Sequence, residues 1–234
     1  MVKIEEKKKK KNIILALPGR SYSGTFMTSM IETVITLMQQ GYGVKMINEY
    51  SSFVTFSRMK TLGLSVLRGA DQKPFDGKED YHVWVTIDSD IAFNPQQVIK
   101  LIEDTDKYPV ISGLYRMIDM EHVAAIKNWD EKFFKKHGTF EFIKGKDVAG
   151  MDEYTEVAYN GMGFFACTRK VLEDDKLKYP YFTRPLVEMK GDDGKLLRDS
   201  CSEDVAFCRN LQDAGYKIMV NTKLVLGHEK TLTI

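Results

Sequence analysis

At 234 residues, with 43% hydrophobic and 29% charged content, the chain can bury the core of one generous domain and has no bias toward disorder or fibres. A formal net charge of +1 gives no reason to expect a nucleic-acid partner. No apolar run approaches the ~18 residues that cross a bilayer, no signal-peptide pattern is present, and Cys167, Cys201 and Cys208 lack metal-ligand spacing, so reduced thiols and a cytoplasmic setting are expected.

Residues 1–11 carry the Lys7–Lys11 charge block and read as a solvated basic tail, with a membrane-surface or nucleic-acid arm as the alternative. Residues 12–17 predict a buried strand closed by Pro18-Gly19-Arg20. A helix follows from Thr25 to Gln40, with Phe26, Met30, Ile31, Val34, Leu37 and Met38 at helical spacing and Gly41 as its stop. Residues 42–48 form the second strand of a βαβ unit, which implies a right-handed crossover and parallel pairing. Phe53 to Leu67 predicts a helix carrying Arg58.

Residues 81–87 predict a buried strand that ends in Asp88-Ser89-Asp90. On a strand, residues two apart share a face, so the two carboxylates are expected to converge and to call for a cation between them. Hard oxygen ligands of this kind suit Mg²⁺ or Mn²⁺. The alternative is a turn in which Asp88 caps the helix that begins at Asn94-Pro95. Pro95 to Asp104 supplies that helix and Tyr108 to Tyr115 the next strand. Alternating strands and helices make an α/β layered sheet, in which ligands bind beyond the carboxyl ends of strands. Pro18 to Arg20, Glu49, Asp88 and Asp90 all fall at such ends.

The second half is less regular. Short strands are expected at Val123–Trp129 and Glu141–Lys144, around a helix near Glu131–Lys136. Gly161-Met162-Gly163 precedes an apolar strand, and its glycines are read as allowing close backbone approach to a ligand. Arg169 to Asp174 predicts a short helix, Leu186 to Leu197 a hairpin around residues 191–194, and Ser202 to Ala214 an amphipathic helix. Ser200 and Glu203 have capping-box spacing, and acids in a first helical turn gain ~0.3–1 kcal/mol from the helix dipole, so Glu203 and Asp204 have a purely structural reading as well. Residues 217–226 form the last strand, with His228 after it. Imidazole beside carboxylates is a good third ligand for a first-row metal.

Taken in order, Ile87-Asp-Ser-Asp-Ile91, residues 110–116, Gly161-Met-Gly-Phe-Phe165 with residues 168–172, and Ser202-Glu-Asp-Val205 through residues 214–218 resemble the GT-A nucleotide-sugar glycosyltransferases, with the family 2-like and Anp1-like branches nearest. The resemblance implies a GT-A α/β fold: a Rossmann-like, mostly parallel sheet with a smaller mixed part on the acceptor side. It implies one domain over 12–234, with 12–116 as the nucleotide-sugar half and 117–234 as the acceptor and catalytic half. Asp88, Asp90 and His228 are then the metal ligands for Mn²⁺ or Mg²⁺. Pro18, Gly19, Arg20, Glu49, Arg58, Asp88, Ser89, Asp90, Gly161, Met162 and Gly163 are the donor-binding positions, with Arg58 near the diphosphate.

Asp204 matches the catalytic base of inverting members, with Glu203 its neighbour. The partners implied are a UDP- or GDP-sugar donor and a glycan or other hydroxyl acceptor. Residues 115–160 and the Leu186 hairpin match no motif of the family. A sugar-1-phosphate nucleotidyltransferase and a non-catalytic nucleotide- or sugar-binding module remain as alternatives.

Overall fold

In the first strand, Ile13, Leu15 and Leu17 bury on one side while Ile14 and Ala16 bury on the other, the period-two signature of a strand covered on both faces. The computed structural model describes residues 10–185 and 187–230. Its first half runs β1 (Asn12–Pro18), α1 (Gly24–Gln39), β2 (Gly43–Glu49), α2 (Val54–Thr61), β3 (Val83–Ile87), β4 (Ile91–Ala92), α3 (Pro95–Asp104) and β5 (Val110–Tyr115). The second half adds β6 (Ala125–Ile126), α4 (Glu131–His137), β7 (Tyr154–Val157), β8 (Tyr159–Asn160), β9 (Phe164–Thr168), α5 (Arg169–Leu172), β10 (Val187–Lys190), β11 (Leu196–Asp199), α6 (Glu203–Asp213) and β12 (Ile218–His228).

The main sheet has the order β2-β1-β3-β9-β5-β12-β4, with β7 also paired to β12. Strands β2, β1, β3, β5 and β12 point one way, so the sheet is mostly parallel; β9 runs antiparallel between β3 and β5. Helices α1 and α3 cover one face through Phe26, Met30, Leu37, Val98 and Ile102. The other face packs Trp84 and Phe165 against Phe182 and Phe207. Each of these large side chains removes enough apolar surface from water to contribute about 1.5–3 kcal/mol.

Local chemistry explains the element ends. Asn94 and Gln97 form a reciprocal capping box, and Pro95 stands where no helical N–H is needed, so Asn94 and not Asp88 caps α3. Ser23 caps α1 by accepting from the Phe26 N–H. The apolar stripe of α1 is wider than its contact with the sheet: Ile31 and Met38 face outward, and Thr33 is buried instead.

Several expectations are corrected. The Phe53–Leu67 helix stops at Thr61, because Gly63 turns the chain with a positive φ. No strand forms at 141–144, where His122 and Lys144 make a lone bridge. The Ser200–Glu203 capping box is not made; Ser202 is the helix cap, and its hydroxyl is spent on Asp204. His228 belongs to β12 rather than following it. The hairpin forms between β10 and β11, while its first residue, Leu186, and Lys7–Lys9 of the basic block lie outside the described residues.

Candidate functional site

Strand β3 ends at Ile87, and Asp88 to Asp90 turn instead of extending, with the Ile91 N–H donating to the Asp88 carbonyl. The same-face rule for residues two apart lapses at the strand's end. The two carboxylates therefore take different partners.

Asp88 faces α2. Arg58, only 2% exposed, donates from Nη2 to Asp88 Oδ2 at 3.0 Å, from Nη1 to Thr86 Oγ1 at 3.2 Å and from Nε to Glu203 Oε1 at 3.4 Å. Burial works against the guanidinium's charge, but Asp88 and Glu203 outweigh it and push its pKa up. Burial raises the Asp88 and Glu203 carboxyls above the usual range, with Arg58 pulling each back down. The other oxygen, Asp88 Oδ1, is buried with no hydrogen-bond partner, a costly state for a carboxylate unless a ligand or cation completes it. Arg58 was expected near a diphosphate; its burial makes it the clamp that joins Asp88 to Glu203.

Asp90 faces the end of β12. Strand β4 pairs with that end, Ile91 opposite His228 and Ala92 opposite Gly227, and the Glu229 N–H donates to the Asp90 carbonyl. His228 Nδ1 lies 2.7 Å from the Arg116 carbonyl oxygen, which can only accept, so Nδ1 carries the proton. His228 Nε2 then lies 3.1 Å from Asp90 Oδ2, two acceptors that need a proton or cation between them. Lys230 Nζ meets the same Asp90 oxygen at 2.6 Å.

Among the described residues no three His, Cys, Asp or Glu side chains form a metal cluster, so the predicted ligand set divides. Asp90 and His228 fit a divalent ion chemically, a hard oxygen beside one oriented imidazole, while Asp88 stays with Arg58. An open cleft of about 610 Å³ lies here, lined by Ser21, Tyr22, Ser89, Asp90, Glu229 and Lys230.

The positions expected to bind the donor lie at neighbouring strand ends. Pro18 of β1 pairs with Glu49 of β2. Gly19 is buried, and a Cβ there would meet Ser89 and the Tyr22 hydroxyl at 3.0 Å, so the glycine lets these two loops approach. Asn48 Nδ2 donates to the carbonyls of Leu17 and Gly19, both at 2.8 Å. Arg20 is exposed and lies over the Tyr50 ring.

Gly161 and Gly163 lie close against Tyr115. A Cβ on Gly163 would lie 2.8 Å from Tyr115 Cζ, and one on Gly161 would strike the Tyr115 hydroxyl. Tyr115 in turn accepts from the Gly163 N–H at 3.1 Å and sets its ring against His228, with centroids 5.1 Å apart. The glycines make room for a tyrosine that supports the histidine. Met162 is buried in the core, so its side chain is not a ligand contact.

Asp204 lies in the first turn of α6, next to the Glu203 that Arg58 holds. Its Oδ1 accepts from the Ser202 hydroxyl at 2.6 Å and from the Val205 N–H at 2.8 Å; its Oδ2 accepts from the Tyr159 hydroxyl at 2.7 Å. A carboxylate has about four acceptor positions, so one lone pair is left. Burial, then the Asp204 charge, raises the Tyr159 pKa and keeps it a donor.

Sequence reasoning missed Thr86, Tyr115, Tyr159 and Lys230. Only Lys230 had a signal, since it lies two residues beyond His228 along an extended segment. A cavity of about 1070 Å³ lies around Phe140, Phe142 and Met151, and Asp88, Asp90, Asp204 and His228 are not among its lining residues.

No family model and no curated protein matches the chain. Solved structures do. GalNAc-T7, solved with UDP, GalNAc and Mn²⁺, aligns over 95% of this chain and 43% of its own at 11% identity and a TM-score of 0.52, so this chain spans less than half of that protein's length. A197 from STIV aligns over 96% and 97% at 14% identity and a TM-score of 0.49. Glucosyl-3-phosphoglycerate synthase from Mycobacterium tuberculosis, solved with Mg²⁺ and UDP, aligns over 95% and 73% at 13% identity and a TM-score of 0.45. The likeness to GalNAc-T7, taken with the mostly parallel sheet, gives this chain a GT-A-type α/β fold.

Proposed function

We propose that the chain is a metal-dependent glycosyltransferase that moves a sugar from a nucleoside-diphosphate sugar to an acceptor hydroxyl, with inversion. The observation that carries this reading is the Arg58 bridge. Asp90, His228 and Lys230 form a charged cluster at the strand ends, and Arg58 ties the adjacent Asp88 to Glu203 on the helix that presents Asp204. The fold alone would not distinguish chemistries; this coupling of the two acidic groups supports the present one.

The nucleotide lies along Pro18–Arg20 and Glu49, with its diphosphate toward Asp90 and Lys230. Asp90 and His228 would hold Mn²⁺ or Mg²⁺, which when bound offsets charge building on the departing diphosphate. Lys230 adds a second positive charge at that place. Asp204 takes the acceptor proton on its free lone pair, while Ser202, Tyr159 and the Val205 N–H fix its orientation. The acceptor oxygen bonds to the donor's anomeric carbon as the bond to the diphosphate breaks, with its electron pair leaving on the diphosphate. Glu203, clamped by Arg58, holds α6 in register with β3.

A thermal-shift screen of UDP-, GDP- and CMP-sugars with and without Mn²⁺ tests the donor side. A shift that needs both metal and one nucleotide is expected, and Asp90→Ala should abolish it along with donor turnover. Unchanged turnover in Asp90→Ala, or in chelator-treated protein, overturns the metal-dependent reading. Pyrophosphate release from a nucleoside triphosphate and a sugar 1-phosphate would point instead to nucleotidyl transfer, and a shift without turnover of any donor to a binding module.

A further inference from the structure

Beside Asp204 lies a second cavity, of about 320 Å³, between the segment around α4 and the start of α6. Its lining is mixed: the aromatics Trp129, Phe134 and Phe140, the smaller Cys201 and Val205, and the polar Asp199, Ser200, Ser202 and Arg209. The volume is at the lower end of ligand pockets, about 300–1,000 Å³, which suits one ring and excludes a long chain.

The geometry points to this cavity as the acceptor subsite, and to a pyranose ring as the acceptor; the inference rests on the transferase reading above. The first reason is the mixed lining. A sugar ring has an apolar C–H face and a rim of hydroxyls, so it uses the aromatic and the polar residues together. A lipid or an aromatic acceptor would leave the Asp199 carboxylate facing carbon.

The second reason is that both oxygens of Asp204 are held by groups connected to these walls. Ser202 lines the cavity and donates to Oδ1. Phe140 lines it as well and stacks on Tyr159, with centroids 6.1 Å apart and planes 29° apart, and Tyr159 donates to Oδ2. A ring seated against Phe140 therefore lies against the parts that aim the carboxylate. The third reason is rigidity. Trp129 packs on Phe134 and Phe140 at 5.4 and 5.3 Å, with the Arg209 guanidinium 5.4 Å from its centroid, so the wall is preassembled.

In the bound complex the pyranose sets its apolar face on Phe140 and Trp129 and one hydroxyl past Ser202 toward Asp204. That hydroxyl oxygen bonds to the donor's anomeric carbon, its proton passes to Asp204, and the bond to the diphosphate breaks with its electron pair on the diphosphate.

Tryptophan emission tests this directly, because the chain has two tryptophans and Trp84 is fully buried in the core. The full chain, without nucleotide or metal, is titrated with methyl glycosides of glucose, galactose, mannose and the two N-acetylhexosamines, with mannitol and phenol as comparison ligands. At least one glycoside should shift the emission saturably. Trp129→Phe should silence that shift, and Phe140→Ala should weaken binding roughly tenfold. No response to any glycoside, or an equal response to mannitol, overturns the subsite; a response to phenol alone overturns the choice of a sugar. A glycoside response with a silent nucleotide screen would sink the transferase reading and leave a sugar-binding pocket, whereas the reverse pattern sinks the subsite alone.

Discussion

Replacing Arg58 with methionine keeps the length and apolar body of the side chain and removes its charge. Two carboxylates would then be stranded: Asp88, whose side chain is 27% exposed, and Glu203, at 15%. At an effective dielectric constant near 20, unit charges ~4 Å apart interact by about 4 kcal/mol. Discounted for the water that still reaches both acids, the loss should be about 3–5 kcal/mol, the usual cost of breaking a buried pair. Against a total stability of about 5–15 kcal/mol, that is a large fraction. For a chain of this size it corresponds to a fall in Tm of roughly 6–20 °C. Urea unfolding followed by circular dichroism measures it. Adding Asp88→Asn and Glu203→Gln to Arg58→Met should recover most of the loss, since the uncompensated charges are then gone. A loss below about 1 kcal/mol, or a triple variant no more stable than the single one, would refute the clamp.

Two further predictions concern the same region. Gly161→Ala should cost about 1–3 kcal/mol by driving a methyl group into the Tyr115 hydroxyl; Tyr115→Phe in that background should restore part of it, and failure to do so in urea unfolding would show the clash lies elsewhere. Burial raises the Glu203 carboxyl above the 4.5 of an ordinary glutamate in spite of Arg58, so above pH 4.5 the folded chain holds this proton longer than the unfolded one. That contribution lowers stability as pH rises through this window, so Glu203→Gln should gain relative to the parent between pH 4.5 and pH 7; urea midpoints with a constant difference would contradict this.

Much of the first half could be read from the chain because its signals were redundant. In β1, α1 and α3 the apolar period, the capping residues and the glycine or proline stops agree on one answer. The five buried residues of β3 announced a strand closed in on both faces. The second half lacked such agreement. Strand β9 is as apolar as β3, and burial alone says nothing of direction or neighbours, so its antiparallel place between β3 and β5 was not legible. Strands β4, β6 and β8 have two residues each, too few for any period.

At the site, Asp88, Asp90, Asp204 and His228 were recognisable by type and order, but their pairing was not. A buried arginine on a short helix looks like a surface one in sequence, so the Arg58 clamp stayed hidden, and with it the reason Asp88 turns from Asp90. The glycines at 161 and 163 carried a visible signal of close approach, but nothing in the sequence showed that Tyr115 is one of the groups they accommodate.

The junction of β4 with the end of β12 has a kinetic meaning. It closes a loop of well over a hundred residues with a pairing only two residues wide at the margin of the sheet. Loops of that length form slowly, and a ladder so short adds little to cooperativity, so the hydrophobic layers can be complete before Asp90 ever meets His228. The same thinness lets this corner open by local fraying, at a small fraction of the free energy of global unfolding. The corner that joins Asp90 to His228 can thus open by itself, against two paired residues, the Glu229 backbone bond and the bonds of His228 and Lys230, without disturbing the core.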